Sequence, residues 1–390
     1  MTTRRSPLVL IFLIVFVDLV GFGIVIPVLP LYAERFGASP LVIGWLLSIY
    51  SVMQCVCAPL LGKLSDRVGR RPVLLVSLLG TAAGFVLMGV ANTLGLLFLA
   101  RIIDGATGGN IATAQAYIAD VTPPEQRSKG MGLIGAAFGL GFIFGPALGG
   151  VLGHFSLAAP FLFAGALAGA NALAVFFLLP ESLPEAARGR AGRQVSMRQV
   201  LREATGHSLV LVMAIYCLTT IAFSLLTATY PLFTERRFGF GAMNNGYVFA
   251  VMGLIGAIIQ GGLLGLLVKT VGDKRLVLTG TFALAVSLFV LPLGASMAWL
   301  FAATAGLAIG HGLVAAPLNG MASRSVGPSS QGRVLGLMQS MSSLARIVGP
   351  VLGGWLLTHD AVQMTEAFGR TAYWAGGALM LIAVVLSAGL

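Results

Sequence analysis

The chain has 390 residues, of which 57% are apolar and only 9% are charged, and its formal net charge is +11. A water-soluble protein of this length needs more charged side chains to cover its surface, so the composition excludes a soluble globular protein. The basic residues are distributed over loops between apolar segments, which argues against a nucleic-acid-binding surface. We therefore expect a membrane protein with no nucleic-acid partner.

Twelve apolar segments are each long enough to cross a bilayer as a helix, which takes roughly 20 residues. They lie near residues 7–30, 41–62, 73–91, 94–119, 129–154, 158–179, 208–234, 244–268, 275–294, 298–323, 333–358 and 367–390. This pattern predicts an all-α membrane protein with twelve transmembrane helices. Residues 1–179 and 208–390 are expected to form two pseudo-symmetric six-helix bundles, joined by a cytoplasmic linker at 180–207.

Basic residues are concentrated on one side of the predicted membrane. Of the 24 Lys and Arg residues, eighteen fall at the N-terminus or in even-numbered loops, and four fall in odd-numbered loops. Basic loops stay in the cytoplasm, so both termini are predicted to be cytoplasmic. The first segment follows Arg4 and Arg5 without a small-residue cleavage site, and we expect it to remain as a helix. Cys55, Cys57 and Cys217 are expected to be buried, with no disulfide and no metal site.

The two halves of the chain repeat a common pattern. Gly145–Gly150 reads G-P-A-L-G-G and Gly349–Gly354 reads G-P-V-L-G-G, an offset of 204 residues. The stretch Gly62–Pro72, G-K-L-S-D-R-V-G-R-R-P, has a weaker copy at Gly265–Arg275. Half-chain repeats of this kind are typical of secondary transporters, which handle the substrate near the midplane between the halves. We therefore expect a transporter of a small molecule.

The eleven residues from Gly62 to Pro72 contain four cations and one acid. Charge of this density is excluded from hydrocarbon, so the stretch is predicted to be a tight turn at the membrane surface. Gly62 and Gly69 are expected to let the backbone turn. Asp66 and Arg70 are four residues apart, so one helical turn would bring them together. A loop that only anchors the chain by its positive charge is the alternative interpretation.

Two acidic residues, Asp18 and Asp104, are predicted to lie well inside the membrane. An acid at the centre of a bilayer costs about 3 kcal/mol, so each is a candidate functional group. Asp18 has no basic residue within one helical turn, and we expect its carboxyl group to exchange protons. A partner on another helix is the alternative. Arg101 precedes Asp104 by three residues, so it is expected either to pair with Asp104 or to modulate Asp18.

Segment 5 is rich in glycine at near-helical spacing. Such a pattern lets a neighbouring helix approach closely, and Pro146 is expected to allow a bend. The glycines concerned are Gly135, Gly139, Gly141, Gly145 and Gly149.

Further polar and aromatic residues of the segments are expected to line a mixed pocket for an amphipathic organic molecule. Taken singly, each polar residue is also a candidate for a hydrogen bond between helices, and His311 for helix packing. The set comprises Phe22, Gln54, Asn110, Gln115, Phe138, Tyr216, Phe223, Gln260, His311, Asn319 and Gln339.

Several stretches together identify a family. They are Gly62–Pro72, Arg101 in R-I-I-D-G, the glycine-rich stretch ending at Gly145 and Pro146, and the segment 1 stretch ending at Pro27-Val28-Leu29-Pro30. These stretches resemble the signature motifs of the twelve-helix drug–proton antiporters of the major facilitator superfamily. Leu232–Gly239 and Ala58–Gly62 resemble the tetracycline exporters in particular. The resemblance extends over essentially the whole chain.

This resemblance implies a function and a setting. The expected protein is no enzyme; it exports a small, drug-like amphipathic compound in exchange for protons by alternating access. It needs no cofactor, because the proton gradient drives it. It is expected to be a monomer among the lipids of the bacterial inner membrane. Gly141, Gly145, Pro146 and Gly149 resemble the helix that distinguishes antiporters from symporters.

The resemblance also implies roles for individual charged residues. Asp66, Arg70 and Asp120 resemble a gating charge relay, in which the acid at Asp66 holds the two halves together in the outward-facing state. Arg101 and Asp18 resemble the arginine and the acid that serve proton movement, and Asp104 is added to them as a proton-coupling candidate from its position alone.

The chain also departs from the tetracycline exporters. Those exporters have an acid where this chain has Gly84 and a histidine where it has Gly256, and Asp104 takes a position that is not acidic in them. They also have an acid in their ninth transmembrane helix, whereas the ninth predicted segment of this chain, 275–294, has none. A tetracycline exporter with a rearranged site is therefore one alternative. A metabolite or lipid transporter of the same fold, including an uptake symporter, is another.

Overall fold

The computed structural model describes residues 7–123, 127–185, 188, 207–325, 331–360 and 367–390, and these residues form α-helices with no β-strand among them. The first half contains α1 (Pro7–Glu34), α2 (Pro40–Val68), α3 (Arg70–Gly89), α4 (Leu94–Thr107), α5 (Asn110–Val121), α6 (Arg127–Phe155) and α7 (Ala159–Leu178). The second half contains α8 (His207–Phe238), α9 (Ala242–Ala257), α10 (Leu264–Thr270), α11 (Asp273–Val290), α12 (Met297–Arg324), α13 (Gln331–Asp360) and α14 (Arg370–Ala388).

The lengths and composition of these helices fit a membrane. Ten helical stretches in the described part of the chain are long and apolar enough to span a bilayer. The chain is therefore an all-α membrane protein, as its composition predicts. For the pair α4–α5 and for α13, which complete the predicted twelve, a crossing stays a prediction.

The predicted segment 94–119 is not one helix, which corrects the sequence analysis. α4 ends at Thr107 and α5 begins at Asn110, with Gly108 and Gly109 between them. Two consecutive glycines are weak helix formers, so the chain breaks there at low cost. Gln54 on α2 donates a 3.0 Å hydrogen bond from Nε2 to the Gly108 carbonyl oxygen, which satisfies a backbone group at the break.

The predicted segment 244–268 is also irregular. α9 passes into a π-helical turn over Ile258–Leu263, which leads into α10. π-helical turns are rare in proteins, and those that occur often lie at functional sites. Side chains built on Gly261 and Gly262 would meet no atom within 4 Å, so no neighbouring helix packs closely on that side of the turn.

The turn after α2 is shorter than predicted. α2 continues through Gly62 to Val68, so the expectation of a turn at Gly62 is wrong. The backbone reverses at Gly69, whose φ of 114° lies in the region that favours glycine. Arg70 is then the first residue of α3.

The three cysteines are free thiols. Cys55 is exposed, and Cys57 and Cys217 are half-buried. The expectation of burial is therefore wrong for Cys55.

The helices pack into two compact units. The first unit comprises the described residues of 1–37, 49–193 and 241–250, and the second those of 38–48, 194–240 and 251–390. Within the first unit α1 packs on α6, and α3 packs on α4 and α7; within the second, α8 packs on α13, and α11 packs on α12 and α14. The same pairs of helices thus recur half a chain apart. The domain boundaries proposed from the sequence stay a prediction, and residues 186, 187 and 189–206 of the linker lie outside the described residues.

Glycines bring α6 into backbone contact with α1. A Cβ built on Gly145 would lie 2.7 Å from the Gly23 Cα, and one on Gly141 would lie 2.7 Å from the Leu19 Cβ. Gly149 makes a similar approach, with 2.9 Å to the Ile24 carbonyl oxygen. Real Cβ atoms cannot come so close, so these positions require glycine.

The close-packed stripe is shorter than the sequence predicts. Side chains built on Gly135 and Gly139 would meet no atom within 4 Å, so these two glycines do not serve close packing. In the second unit Gly349 and Gly353, 204 residues after Gly145 and Gly149, pack in the same way against α8. The sequence repeat therefore corresponds to a repeated helix contact.

Gly145→Ala is expected to push α6 away from α1 and to lower the stability of the protein by about 1–3 kcal/mol, because the added methyl group meets backbone atoms. The melting temperature in detergent measures this effect. Gly135→Ala is the matched control on the same helix, and it should melt at or above the parental temperature because alanine favours the helix. Equal melting temperatures for the two variants would contradict the packing described above.

Candidate functional site

A group of polar side chains lies among the apolar helices of the first unit, and we call it the buried polar cluster. It comprises Asp18 on α1, Tyr50 on α2, Arg101 and Asp104 on α4, and Asn110, the first residue of α5. Arg101, Asp104 and Asn110 are buried, whereas Asp18 and Tyr50 are half-buried at its edge. The apolar residues around them on the same helices fix the helices in the unit. The polar side chains are therefore held in a medium where each charge needs a partner.

Asp18 has a neutral partner. Asn110 donates a 2.7 Å hydrogen bond from Nδ2 to Asp18 Oδ1, and the Asn110 side chain is buried. Asn110 Oδ1 is buried and has no hydrogen-bond partner in the described part of the protein. No ion pair to Asp18 forms among the described residues. The partner on another helix is therefore an amide that leaves the charge of the carboxylate uncompensated.

Arg101 and Asp104 form a buried ion pair. The distance from Arg101 Nη1 to Asp104 Oδ2 is 3.0 Å, and the two side chains are 3% and 6% exposed. The Arg101 guanidinium carbon also lies 4.4 Å from the centre of the Tyr50 ring, a cation–π contact. Pairing with Asp104, one of the two roles considered for Arg101, is thus observed.

Glycines on two helices allow α4 to bury this pair. A Cβ on Gly105 of α4 would lie 2.5 Å from the Tyr50 carbonyl oxygen, and one on Gly84 of α3 would lie 2.9 Å from the Asp104 Cβ. Gly84 is the position where the family resemblance implies an acid. The Asp104 side chain therefore starts directly beside the position on α3 where the resemblance implies an acid.

Aromatic side chains adjoin the cluster. The Phe22 ring centre lies 6.0 Å from that of Tyr50 and 6.2 Å from that of Phe142. Gln54 lies 3.2 Å from the Tyr50 hydroxyl through its Nε2 atom. Phe22 and Gln54, both predicted to line a pocket, thus lie beside the charged groups. Phe142 was missed, because its position in a glycine-rich helix carried no polar signal.

Other predicted pocket residues lie in different surroundings. Phe138 packs partly buried against the apolar core of the first unit. Gln115, Gln260 and Gln339 are exposed. Asn319 donates a 3.0 Å hydrogen bond from Nδ2 to the Ala315 carbonyl oxygen on its own helix. Their common membership of one pocket stays a prediction.

In the second unit His311 stacks on Phe223. The ring centres are 3.8 Å apart and the planes differ by 12°. His311 Nδ1 is buried without a hydrogen-bond partner among the described residues. Tyr216, half-buried, lies seven residues before Phe223 and thus on the same side of α8. The packing role considered for His311 is therefore observed.

A second charged group, which we call the loop cluster, lies at the α2–α3 turn. Arg70 Nη1 lies 2.6 Å from Asp66 Oδ1, and Arg70 Nε lies 3.0 Å from Asp120 Oδ2. The Arg70 side chain is 10% exposed, whereas those of Asp66 and Asp120 are 50% and 22% exposed. All three residues of the predicted relay thus come together around one guanidinium group.

Glu181 completes the loop cluster and was missed as a site residue. Its Oε1 accepts a 2.8 Å hydrogen bond from the Arg70 backbone nitrogen, and its Oε2 accepts one of 3.1 Å from that of Arg71. Glu181 therefore caps the N-terminus of α3 with a negative charge. Ser182 donates a 3.0 Å hydrogen bond from its hydroxyl group to Asp120 Oδ2. The only signal in the sequence was an acid directly after an apolar segment.

The comparison with known proteins agrees with this architecture. The model of the Major Facilitator Superfamily matches residues 11–272 and 261–390. The tetracycline resistance protein, class C, of Escherichia coli is 35% identical over 382 residues, which cover 97% of this chain and 95% of that protein. The class E protein, also from Escherichia coli, is 34% identical over 385 residues, covering 96% and 92%.

Among solved structures, the crystal structure of the human organic anion transporter MFSD10 (TETRAN) is similar, with a TM-score of 0.71 and 26% identity. The match covers 99% of this chain and 100% of that one. The resemblance seen in the sequence motifs is thus confirmed over almost the whole chain. The protein belongs to the major facilitator superfamily, whose members are membrane transporters and not enzymes.

Proposed function

We propose that the protein is a secondary active transporter that exports a small, amphipathic organic compound in exchange for protons. The observation that carries this proposal is the buried polar cluster, in which Asp18 has a neutral amide partner while Arg101 and Asp104 pair with each other. The resemblance to drug–proton antiporters supports the direction of transport.

The charges of the cluster favour Asp18 as the group that carries the proton. Arg101 is already balanced by Asp104 at 3.0 Å. Asp18 forms no ion pair among the described residues, so its negative charge is removed only when it binds a proton. A group that alternates between the two forms couples proton movement to the conformational cycle. One proton moving down a potential of 100 mV supplies about 2.3 kcal/mol, enough for a modest substrate gradient.

The loop cluster acts in the conformational step of the proposed cycle. Arg70 holds acids from α2 and α5 together, which stabilises one of the two access states. Because the residues of the cluster all lie in the first unit, we expect its ion pairs to break and reform when the helices that carry them shift within that unit during the cycle. Substrate binding is expected to depend on it far less than turnover does.

The proposed setting is the bacterial inner membrane, with both termini in the cytoplasm and the protein working as a monomer among lipids. The basic residues of the even-numbered loops support this orientation. No cofactor is required in this scheme, because the proton gradient supplies the free energy.

Tetracycline is a second candidate substrate. The relatives of 34–35% identity are named tetracycline resistance proteins. The contact between Gly84 and Asp104 favours this candidate, because an acid is supplied from α4 beside the position where the resemblance implies one on α3. The resemblance implies a histidine in the tetracycline exporters where this chain has Gly256, and its absence favours a different substrate.

Proteoliposomes with an imposed pH gradient test the proposed function. Addition of ethidium or tetracycline should discharge the gradient in the presence of the protein, as measured with a pH-sensitive dye. Uptake of either probe that is independent of the pH gradient would contradict proton antiport. A resistance assay in cells distinguishes tetracycline from other amphipathic compounds.

Asp18→Asn is expected to lower proton-coupled transport by about a hundredfold, because the amide cannot exchange the coupling proton. Binding of the transported probe, measured by thermal shift, should be retained. Asp104→Asn is the comparison variant, and it should slow transport but keep its dependence on the pH gradient. A pH-driven rate in Asp18→Asn equal to that of the parent would exclude Asp18 as the carrier.

Asp66→Ala is expected to lower the turnover rate by about tenfold with little change in the Michaelis constant, because the loop cluster acts on the conformational step. Arg67→Ala is the matched control, since Arg67 is an exposed cation of the same turn. The two variants are compared in the proteoliposome assay. Normal turnover in Asp66→Ala would argue against a gate at this turn.

A further inference from the structure

A second set of three charged residues lies half a chain away from the loop cluster, and every sign is reversed. The offset that relates the two halves is 203 residues for the first two positions and 204 for the third. It carries Asp66, Arg70 and Asp120 onto Lys269, Asp273 and Arg324. The order acid, base, acid thus becomes base, acid, base.

The backbone at the two turns is equivalent. Gly69 has a φ of 114° and Gly272 a φ of 85°, and both lie in the region that favours glycine. Each glycine directly precedes a helix, since α3 begins at Arg70 and α11 begins at Asp273. The two residues of opposite charge therefore occupy the same position at the start of equivalent helices.

One of the two ion pairs has an equivalent, whereas the described residues Lys269 and Asp273 form none. Arg324 Nη2 lies 2.5 Å from Asp273 Oδ2, and Arg70 Nε lies 3.0 Å from Asp120 Oδ2. Arg324 is the last residue of α12, and Asp120 lies in the last turn of α5. Each pair thus joins the start of one helix to the end of the next membrane segment.

The charges have opposite relations to the helix dipoles. A helix N-terminus favours negative charge and a C-terminus favours positive charge. Asp273 and Arg324 satisfy both preferences. Arg70 and Asp120 satisfy neither, and the start of α3 instead receives its negative charge from Glu181. The helices therefore reinforce the second pair and oppose the first.

The second pair is the more exposed of the two. Its side chains are 60% exposed for Arg324 and 21% for Asp273. Exposed ion pairs are screened by water and add little to global stability. The expected contribution of the Asp273–Arg324 pair is therefore to hold the start of α11 beside the end of α12.

We propose that Asp273 and Arg324 are positioning residues that keep the start of α11 and the end of α12 together throughout the transport cycle. The loop cluster of the first unit, which its helices oppose, is the one that opens. The kinetic consequence rests on the proposed transport function, whereas the clamp itself is testable without transport.

The test compares Asp273→Arg, Arg324→Asp and the double variant in which both charges are exchanged. Hydrogen exchange of the backbone amides at 272–277 reports the clamp, and transport of ethidium or tetracycline in proteoliposomes reports its kinetic effect. Each single variant should exchange faster at these amides and turn over about tenfold more slowly, with an unchanged Michaelis constant. The double variant restores opposite charges, but in the orientation that the helix dipoles oppose, and should recover part of the protection and part of the turnover.

The melting temperature in detergent separates a positioning role from a purely structural one. It should change little in the single variants, because the pair is exposed. Arg275→Gln is the matched control, since it removes a neighbouring exposed charge without touching the pair, and it should behave like the parent.

Two outcomes would overturn the clamp. One is single variants with parental exchange at 272–277, and the other is a double variant no better protected than the singles. Recovered protection in the double variant of a protein that moves neither probe would support the clamp and contradict the proposed function. The two failures are therefore distinguishable.

Discussion

Charge inside an apolar helix bundle must be paired, hydrogen-bonded or neutralised by a proton, and this constraint shapes the first unit. Arg101 and Asp104 balance each other's charge at 3.0 Å, and Arg101 Nε is buried without a hydrogen-bond partner among the described residues. Asp18 has only the Asn110 amide to meet it among the described residues. Close contacts at Gly105 on α4 and at Gly84 on α3 bring α2 and α3 against this part of α4. In the proposed function, this uncompensated carboxylate is the group that binds the coupling proton.

Because the helix is interrupted between α4 and α5, the direction of the Asn110 side chain is not fixed by that of Arg101. On a continuous α-helix the two residues, nine positions apart, would point about 180° away from each other, at about 100° per residue. Gly108 and Gly109 end the first helix and let α5 begin anew. The two consecutive helices α4 and α5 thus supply the guanidinium group of the pair and the amide that meets Asp18, respectively.

The sequence predicted the contacts that are local along a helix. Asp66 with Arg70 and Arg101 with Asp104 follow from spacings of four and three residues. The bond from Asn110 to Asp18 joins residues 92 positions apart, and the cap by Glu181 joins residues 111 apart. No periodicity encodes such contacts, because they depend on how separate helices pack.

Glycine positions show a similar limit. Gly62 and Gly69 look alike in the sequence, yet only Gly69 has a positive φ, because α2 remains helical through Gly62. Gly135 and Gly145 share a helix, yet only Gly145 meets another backbone. Glycine composition predicts where close approach is allowed, and the neighbouring helix decides where it occurs.

The π-helical turn at Ile258–Leu263 sets the helical phase of everything that follows it in the segment. Its bonds close over five residues where those of an α-helix close over four, so it accommodates one residue more. If the same residues instead continued as a regular α-helix, α10 would be rotated by about 100° about its axis. Lys269, near the end of α10, would then face a different direction. The direction in which that cation points therefore depends on an irregularity of the backbone six to eleven residues before it.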